Sequence, residues 1–376
     1  MTHISPCFCL FRPMALTCIN DRDDPEVKNS CVTHRMEISA NKTPPLLRNA
    51  HPMAFITFLR QHGAPVDRYL RRHGLPVLSD DPNAFVPLHR VWSFFNTAAR
   101  YEDTELGWLV GAHVGNHELN AVFLWKLETS PTLLQALRRF TVMVTTEATD
   151  IHIGIEDHQD KILLYTHYPG MREEPGYEIA QAYQLGIILD LIRHFLGPQW
   201  APDEIGIESG HVPSGAEKSF PCSRILTQQP AGYIAVPRLC LHKGRPLMDR
   251  KIRSAENSIL SNHLPVLRQD FDYLSMLRSV LRSYLSEGYV SQRAAAELMN
   301  TSVRSLTRKL SACGLTYGTL IDELRFSVAK EKLQKPNARI GDVAHAVGFN
   351  DQGDFTRMFR RIGGLSPKEF CLAARK

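Results

Sequence analysis

Along the middle of the chain the spacing of apolar residues changes several times, and each change marks an element. Trp92, Phe95 and Ala99 recur at helical spacing. Ser130-Pro131 then opens a helix: Ser130 can cap it, and Pro131 suits a first helical position, where no N–H is needed. Leu133, Leu134, Leu137 and Phe140 supply its apolar face. The period shortens to two at Ile151, Ile153 and Ile155, which alternate with His152, Gly154 and Glu156 as in a half-buried strand. Ile162 to Tyr168 reads as a second strand. A long helix is expected from about Gly176 to Leu196, stopped by Gly197-Pro198. Ile205-Gly206-Ile207 and Tyr233 to Val236 read as further short strands. This mixture predicts an α+β domain.

Beyond a connecting stretch the pattern becomes wholly helical. Leu274, Leu277, Leu281 and Leu285 recur at three or four residues. A weak internal repeat follows. Ala295 to Ser302 matches Val343 to Asn350 at an offset of 48, and Leu306 to Leu310 matches Phe355 to Phe359 at an offset of 49. Each copy reads as helix, tight turn, helix. Ala296 and Ala344 are small enough for the second helix to cross the first closely. Asn300 and Gly348 fall where the turn needs a residue tolerant of positive φ. Ser302 and Asn350 are expected caps of the second helices. Val303, Leu306 and Leu310 are expected to face inward in copy one, and Phe355, Phe359 and Ile362 in copy two. The opposite faces carry Arg304, Thr307 and Arg308, and Gln352, Thr356 and Arg357. Arg and Gln pair bidentately with guanine and adenine in the major groove, and the start of the second helix of a helix-turn-helix enters that groove. A helix from about Tyr317 to Gln334, ended by Lys335-Pro336, joins the copies; its length of roughly 27 Å is close to the spacing of about 34 Å between successive major-groove faces.

The expected organisation is an extension without periodicity over 1–48, a mixed α+β domain over 49–237, a linker over 238–265, and a DNA-binding domain with two helix-turn-helix units joined by a long helix over 266–376. Met36 and Met53 leave the translation start open at this level.

Charge supports that division. The whole chain is only +5, but Phe271 to Lys376 holds 17 Lys+Arg against 10 Asp+Glu, and the first 270 residues hold 27 basic and 29 acidic groups. A basic module behind a near-neutral body suits a nucleic-acid reader attached to something else. No run of 18 apolar residues suggests a membrane span and no signal-peptide order is present, so a cytoplasmic, nucleoid-associated location is expected. Cys7, Cys9, Cys18 and Cys31 crowd the first 31 residues while Cys222, Cys240, Cys313 and Cys371 are scattered, which is no disulfide framework.

The second copy resembles the AraC/XylS family of bacterial transcription regulators: Ile340-Gly341-Asp342-Val343-Ala344, Val347 to Gln352, Phe355 to Arg361, Gly364-Leu365-Ser366-Pro367 and Phe370. Gly353 sits where a larger polar residue is common, and Asn300 replaces the commoner turn glycine. Upstream, Leu106-Gly107 with Gly111, Ser130 to Leu133 with Ala136-Leu137, and Phe220-Pro221 are similar to the arabinose-binding-like subgroup. The resemblance implies that 49–237 is an effector-binding and dimerisation domain. The residues expected to meet promoter DNA are Ser302, Arg304, Ser305, Thr307, Arg308, Asp351, Gln352, Gly353, Thr356 and Arg357. Expected partners are double-stranded promoter DNA, RNA polymerase, a small-molecule effector and a second copy of the chain.

No enzyme, cofactor or metal is expected: phosphate loops, nucleophile elbows and paired catalytic carboxylates do not stand out. His113 and His117 have the spacing of a metal pair but no third ligand nearby. Two alternatives stay open on sequence alone. One is a DNA-binding repair or redox protein using the early cysteines. The other is a regulator without a ligand.

Overall fold

In the computed structural model the described residues are 44–376 apart from 78–80, 82, 103–104, 115–126, 128, 213–214, 222, 245–272, 289, 336–337 and 375–376. The early cysteines, Cys222, the His113 side chain, His117 and most of the expected linker lie outside them.

Leu46–Arg48 forms β1, paired antiparallel with β2, Phe85–Pro87, in the register Leu47 opposite Val86. Three helices pack around this pair: α1 (Ala50–Gln61), α2 (Val66–Arg72) and α3 (Leu88–Tyr101). On α3 the expected Trp92, Phe95 and Ala99 are joined by Val91, Phe94 and Ala98, all buried. α4 is Leu106–Val114 and α5 is Leu133–Met143. Ser130 does not cap α5. The chain is still extended at Thr132, whose hydroxyl accepts from the Gln135 N–H at 3.4 Å, while Ser130 Oγ accepts from Arg139.

A second sheet follows. It is built from β3 (His152–Asp157), β4 (Lys161–His167), β5 (Glu204–Gly206), β6 (Arg224–Leu226) and β7 (Gly232–Pro237), in the order β3-β4-β7-β5-β6. All its pairings are antiparallel except β5 with β6. On β4, Ile162, Leu164 and Thr166 point inward, the alternation expected of a pleated strand with one buried face. Lys161, Arg224 and Tyr233 all converge on Glu204, tying four strands together. Burial alone would raise the Glu204 carboxyl, but these hydrogen bonds overcome it and hold the group at about 2. The long helix α6, Tyr177–Leu196, carries thirteen buried residues and links the sheet to the helices. α7 is the short Ala216–Ser219.

The remainder of the described chain is helical: α8 (Tyr273–Tyr284), α9 (Gln292–Leu298), α10 (Val303–Ala312), α11 (Tyr317–Leu333), α12 (Ile340–Ala346), α13 (Gln352–Gly363) and α14 (Pro367–Ala374). The fold is thus an α+β domain followed by an all-helical region. Among the described residues no helix is long and apolar enough to cross a membrane.

The structure departs from the expected extension at its end. Leu46, Leu47 and Arg48 fall inside 1–48, yet all three are buried and hydrogen-bonded into a sheet, because a three-residue strand is too short to show a period. Deleting residues 2–42 leaves these contacts in place. Deleting residues 2–48 removes two buried leucines, worth about 1.5–3 kcal/mol each. The longer deletion should lower the unfolding temperature by roughly 10 °C relative to the shorter, as read by calorimetry; equal temperatures would show β1 to be dispensable.

Candidate DNA-binding surface

Each copy of the repeat forms the expected helix, turn and helix: α9 and α10, then α12 and α13. Both turns use a left-handed residue, Asn300 at φ 44° and Gly348 at φ 79°. Gly348 is also hemmed in, since a Cβ there would lie 2.9 Å from the Gly288 carbonyl oxygen and 3.1 Å from that of Leu285. Ser302 caps α10, its hydroxyl accepting from the Ser305 N–H at 3.1 Å and donating to Ser305 Oγ at 3.1 Å. In copy two the cap is Asp351, not the expected Asn350; its carboxylate accepts from the Asp354 N–H at 2.9 Å. The residue inserted between turn and helix in copy two moves the capping position on by one, which is also why the repeat offset grows from 48 to 49.

The inner faces are those expected, with one exception. Leu306 and Leu310 are buried on α10, as are Phe355 and Phe359 on α13, with Ile362 half-buried and Met358 buried beside them. Val303 is 40% exposed. As the first residue of its helix it has no preceding turn to cover it.

The outer faces bring the expected residues together on two solvent-facing helices. Ser302, Arg304, Thr307 and Arg308 are exposed, and Ser305 is half-buried against the cap. Asp351, Gln352, Gly353 and Arg357 are exposed, and Thr356 is half-buried. Neither Arg304 nor Arg308 forms an ion pair among the described residues. Arg357 does, with Asp354 one turn before it on α13. Both members of that pair are more than half exposed, so it is weak and readily exchanged for another anion. The two threonine hydroxyls donate to carbonyls four residues back, Thr307 to Val303 and Thr356 to Gln352, each at 2.8 Å. Thr307 Oγ1 also accepts from Gln292 on α9.

Sequence reasoning missed the residues that hold the two copies at a fixed separation. α11 runs 17 residues, about 26 Å. At its start the Tyr317 hydroxyl, buried, donates to the Val290 carbonyl at 2.6 Å, just before α9. In its middle Arg325, only 6% exposed, donates to the Gly348 carbonyl at 3.2 Å and lies over the Phe349 ring at 4.6 Å. One helix therefore grips the entry to copy one and the turn of copy two. A buried arginine on an otherwise apolar helix face was the only sequence signal for it.

A polar chain ties this region to the α+β domain. Arg282 on α8 donates to Asp81 at 2.6 Å and to Glu331 on α11 at 2.5 and 3.1 Å. Asp81 in turn accepts from the Asn83 N–H, and Asn83 Oδ1 accepts from Arg48 at 2.9 Å. Beside it the buried Ser283 hydroxyl donates to the Phe85 carbonyl at 3.0 Å, and Glu287 accepts from the Val77 N–H at 2.7 Å.

Two known families match. Residues 295–372 match a helix-turn-helix domain, and residues 63–241 match the arabinose-binding domain of AraC transcription regulators. The chain belongs to the AraC family of transcription regulators. The HTH-type transcriptional regulator VirS of Mycobacterium tuberculosis is 24% identical over 344 residues, covering 86% of this chain and 96% of VirS. Two other relatives match over a shorter stretch. The ornithine utilization regulator of Pseudomonas aeruginosa is 38% identical over 79 residues, 21% of this chain and 23% of that protein. The transcriptional activator RhaS of Escherichia coli is 32% identical over 97 residues, 26% of this chain and 34% of RhaS. The regulator thus spans only a quarter to a third of the length of these two. Among solved structures, the transcriptional regulator CdpR of Pseudomonas aeruginosa aligns over 82% of this chain and 96% of its own, at 18% identity and a TM-score of 0.34.

Proposed function

We propose that the regulator reads promoter DNA with α10 and α13 in successive major grooves, and that the α+β domain governs this reading in response to a small molecule. Arg304 and Arg308 on α10, and Gln352 and Arg357 on α13, read base edges. The capped helix starts at Ser302 and Asp351 with Ser305, Gly353, Thr307 and Thr356 sit against the phosphate backbone. The observation that carries the proposal is the pairing of two capped, outward-facing helices, each with arginine opposite its buried face, on one strut about 26 Å long.

The working units are 49–237 for sensing and dimerisation and 266–376 for DNA binding, with 238–265 between them and β1 belonging to the first. The regulator acts as a dimer and, when bound, contacts RNA polymerase; it works by occupancy in the cytoplasm rather than by catalysis. The chain of hydrogen bonds from Arg48 through Asn83 and Asp81 to Arg282 and Glu331 gives ligand-dependent shifts in the α+β domain a route to the strut helix. A ligand acts through such a route only by favouring one arrangement over another.

Footprinting of the full chain on fragments selected from genomic DNA tests the reading. Protection should fall on two major-groove segments about one helical turn apart on one face of the duplex, with an affinity that drops steeply with salt. A folded protein that binds all fragments alike, with no footprint, would remove the sequence-reading role.

A further inference from the structure

Between β1, α1, α3, α5 and α6 lies a chamber of about 50 Å3. Its wall is overwhelmingly apolar, with Trp92, Phe95, Phe140, Ile153 and Ile188 among the lining residues. His51, Glu147 and Gln184 interrupt that wall; the Gln184 amide oxygen already accepts from the Thr166 hydroxyl at 3.0 Å, while His51 and Glu147 are buried at 6% and 2% exposure. Each is held from behind. His51 Nδ1 meets the Tyr183 hydroxyl at 3.1 Å, and Glu147 Oε1 accepts from Arg48 Nη1 at 3.3 Å. The facing atoms, His51 Nε2 and Glu147 Oε2, lie 3.2 Å apart in an ion-pair contact, and neither makes a hydrogen bond to any other group. Two buried polar atoms with unused hydrogen-bonding capacity, set at the edge of an apolar void, are the usual form of a ligand's polar anchor.

We infer that this chamber is a binding site for a small neutral molecule with an apolar body and a single hydroxyl. The inference rests on the reading of the α+β domain as a sensor and names the chemistry that it senses. A hydroxyl both donates and accepts. It donates to Glu147 Oε2 and accepts from His51 Nε2–H, the tautomer in which Nδ1 accepts from Tyr183. Charge excludes the obvious competitors. A carboxylate head would face Glu147, and an ammonium head would add a second cation beside Arg48, whose charge Glu147 already balances. A sugar fits poorly, although residues 63–241 match a domain named for arabinose. Most of its hydroxyls would meet apolar wall and be buried without partners. Size sets the last limit. A water-sized site takes roughly 10–15 Å3, so the chamber holds about three to five heavy atoms.

Saturation-transfer NMR on the full chain tests this with 1-butanol as the probe, flanked by 1-propanol and 1-hexanol. Sodium butyrate, n-butylammonium and L-arabinose serve as the head-group controls. The expected result is transfer to 1-butanol, with each control at least about ten-fold weaker at equal concentration. The signal should vanish in Ala180→Leu, which places three more carbons against the chamber wall. Three results would overturn the inference: no transfer to any alcohol, as when the chamber holds only water; a charged homologue or arabinose equalling 1-butanol; or undiminished transfer to a folded Ala180→Leu. Should Ala180→Leu fail to fold, the head-group series on the unaltered chain decides alone. A gel-shift on the same sample separates the two readings, because specific DNA binding without alcohol binding sinks the chamber and leaves the regulator.

Discussion

Replacing one arginine from each recognition helix, Arg308→Ala together with Arg357→Ala, should abolish specific promoter binding while the protein stays folded. Both side chains are exposed on faces opposite the buried apolar residues of their helices, so neither substitution opens a cavity. A lost bidentate base contact costs about 1–3 kcal/mol. The two sites lie in different units and share no partner, so their effects should add. The double variant should therefore bind its site roughly 30- to 20,000-fold more weakly. Arg357 must leave Asp354 to reach a base, which costs little because the pair is exposed. Asp354→Ala frees Arg357 and removes an anion from a helix proposed to face DNA, so it should tighten binding. Fluorescence anisotropy at several salt concentrations gives both affinity and slope. If specific and non-specific DNA are lost in equal measure and the slope falls by about two, the arginines are phosphate contacts and not base readers. Undiminished binding would mean that α10 and α13 do not face DNA at all.

The largest effect on stability is expected where α4 crosses α6. Gly111 and Gly186 meet there backbone to backbone. A Cβ on Gly186 would sit 2.9 Å from the Gly111 Cα and carbonyl carbon, and one on Gly111 would sit 3.1 Å from the Tyr183 carbonyl oxygen. One turn earlier on α4, a Cβ on Gly107 would come within 2.4 Å of the Ile179 carbonyl oxygen. Backbone cannot rotate aside as a side chain can, so a larger residue must push the helices apart. α6 is the helix on which both the sheet and the chamber rest. Gly186→Leu should therefore cost more than the usual 1–3 kcal/mol of overpacking and lower the unfolding temperature by about 10 °C or more. Far-UV circular dichroism on heating would show it. The opposing term is helix propensity, which favours a larger residue over glycine by up to about 1 kcal/mol; an unchanged or raised midpoint would mean that the helices do not touch at this point.

The helical region was legible in the sequence because its evidence is local and doubled. Amphipathic spacing, a left-handed turn residue and a cap all act within a dozen residues, and the second copy repeats them. So α10 and α13, the turns at Asn300 and Gly348 and the exposed faces of Arg304, Arg308 and Arg357 needed no tertiary information. The long helices and strand β3, with its alternating Ile153 and Ile155, were legible for the same reason: 3.6- and 2-residue periods follow from burial of one face. The details that failed were those a neighbour decides. Val303 is exposed because nothing packs over the first turn of α10. Thr132 displaces Ser130 as a cap because the chain stays extended two residues longer. β1 and β2 are three residues each, too short for a period, and exist only because they pair across 36 intervening residues. The chamber is further still from the sequence. His51, Glu147, Arg48 and Tyr183 are scattered over 136 positions and meet only when four elements close around them. What the chain wrote into itself is the pair of capped helices with exposed arginines; what only folding decided is which buried polar groups meet at the edge of the chamber, since the meeting of distant residues is a property of the packed molecule and not of any residue within it.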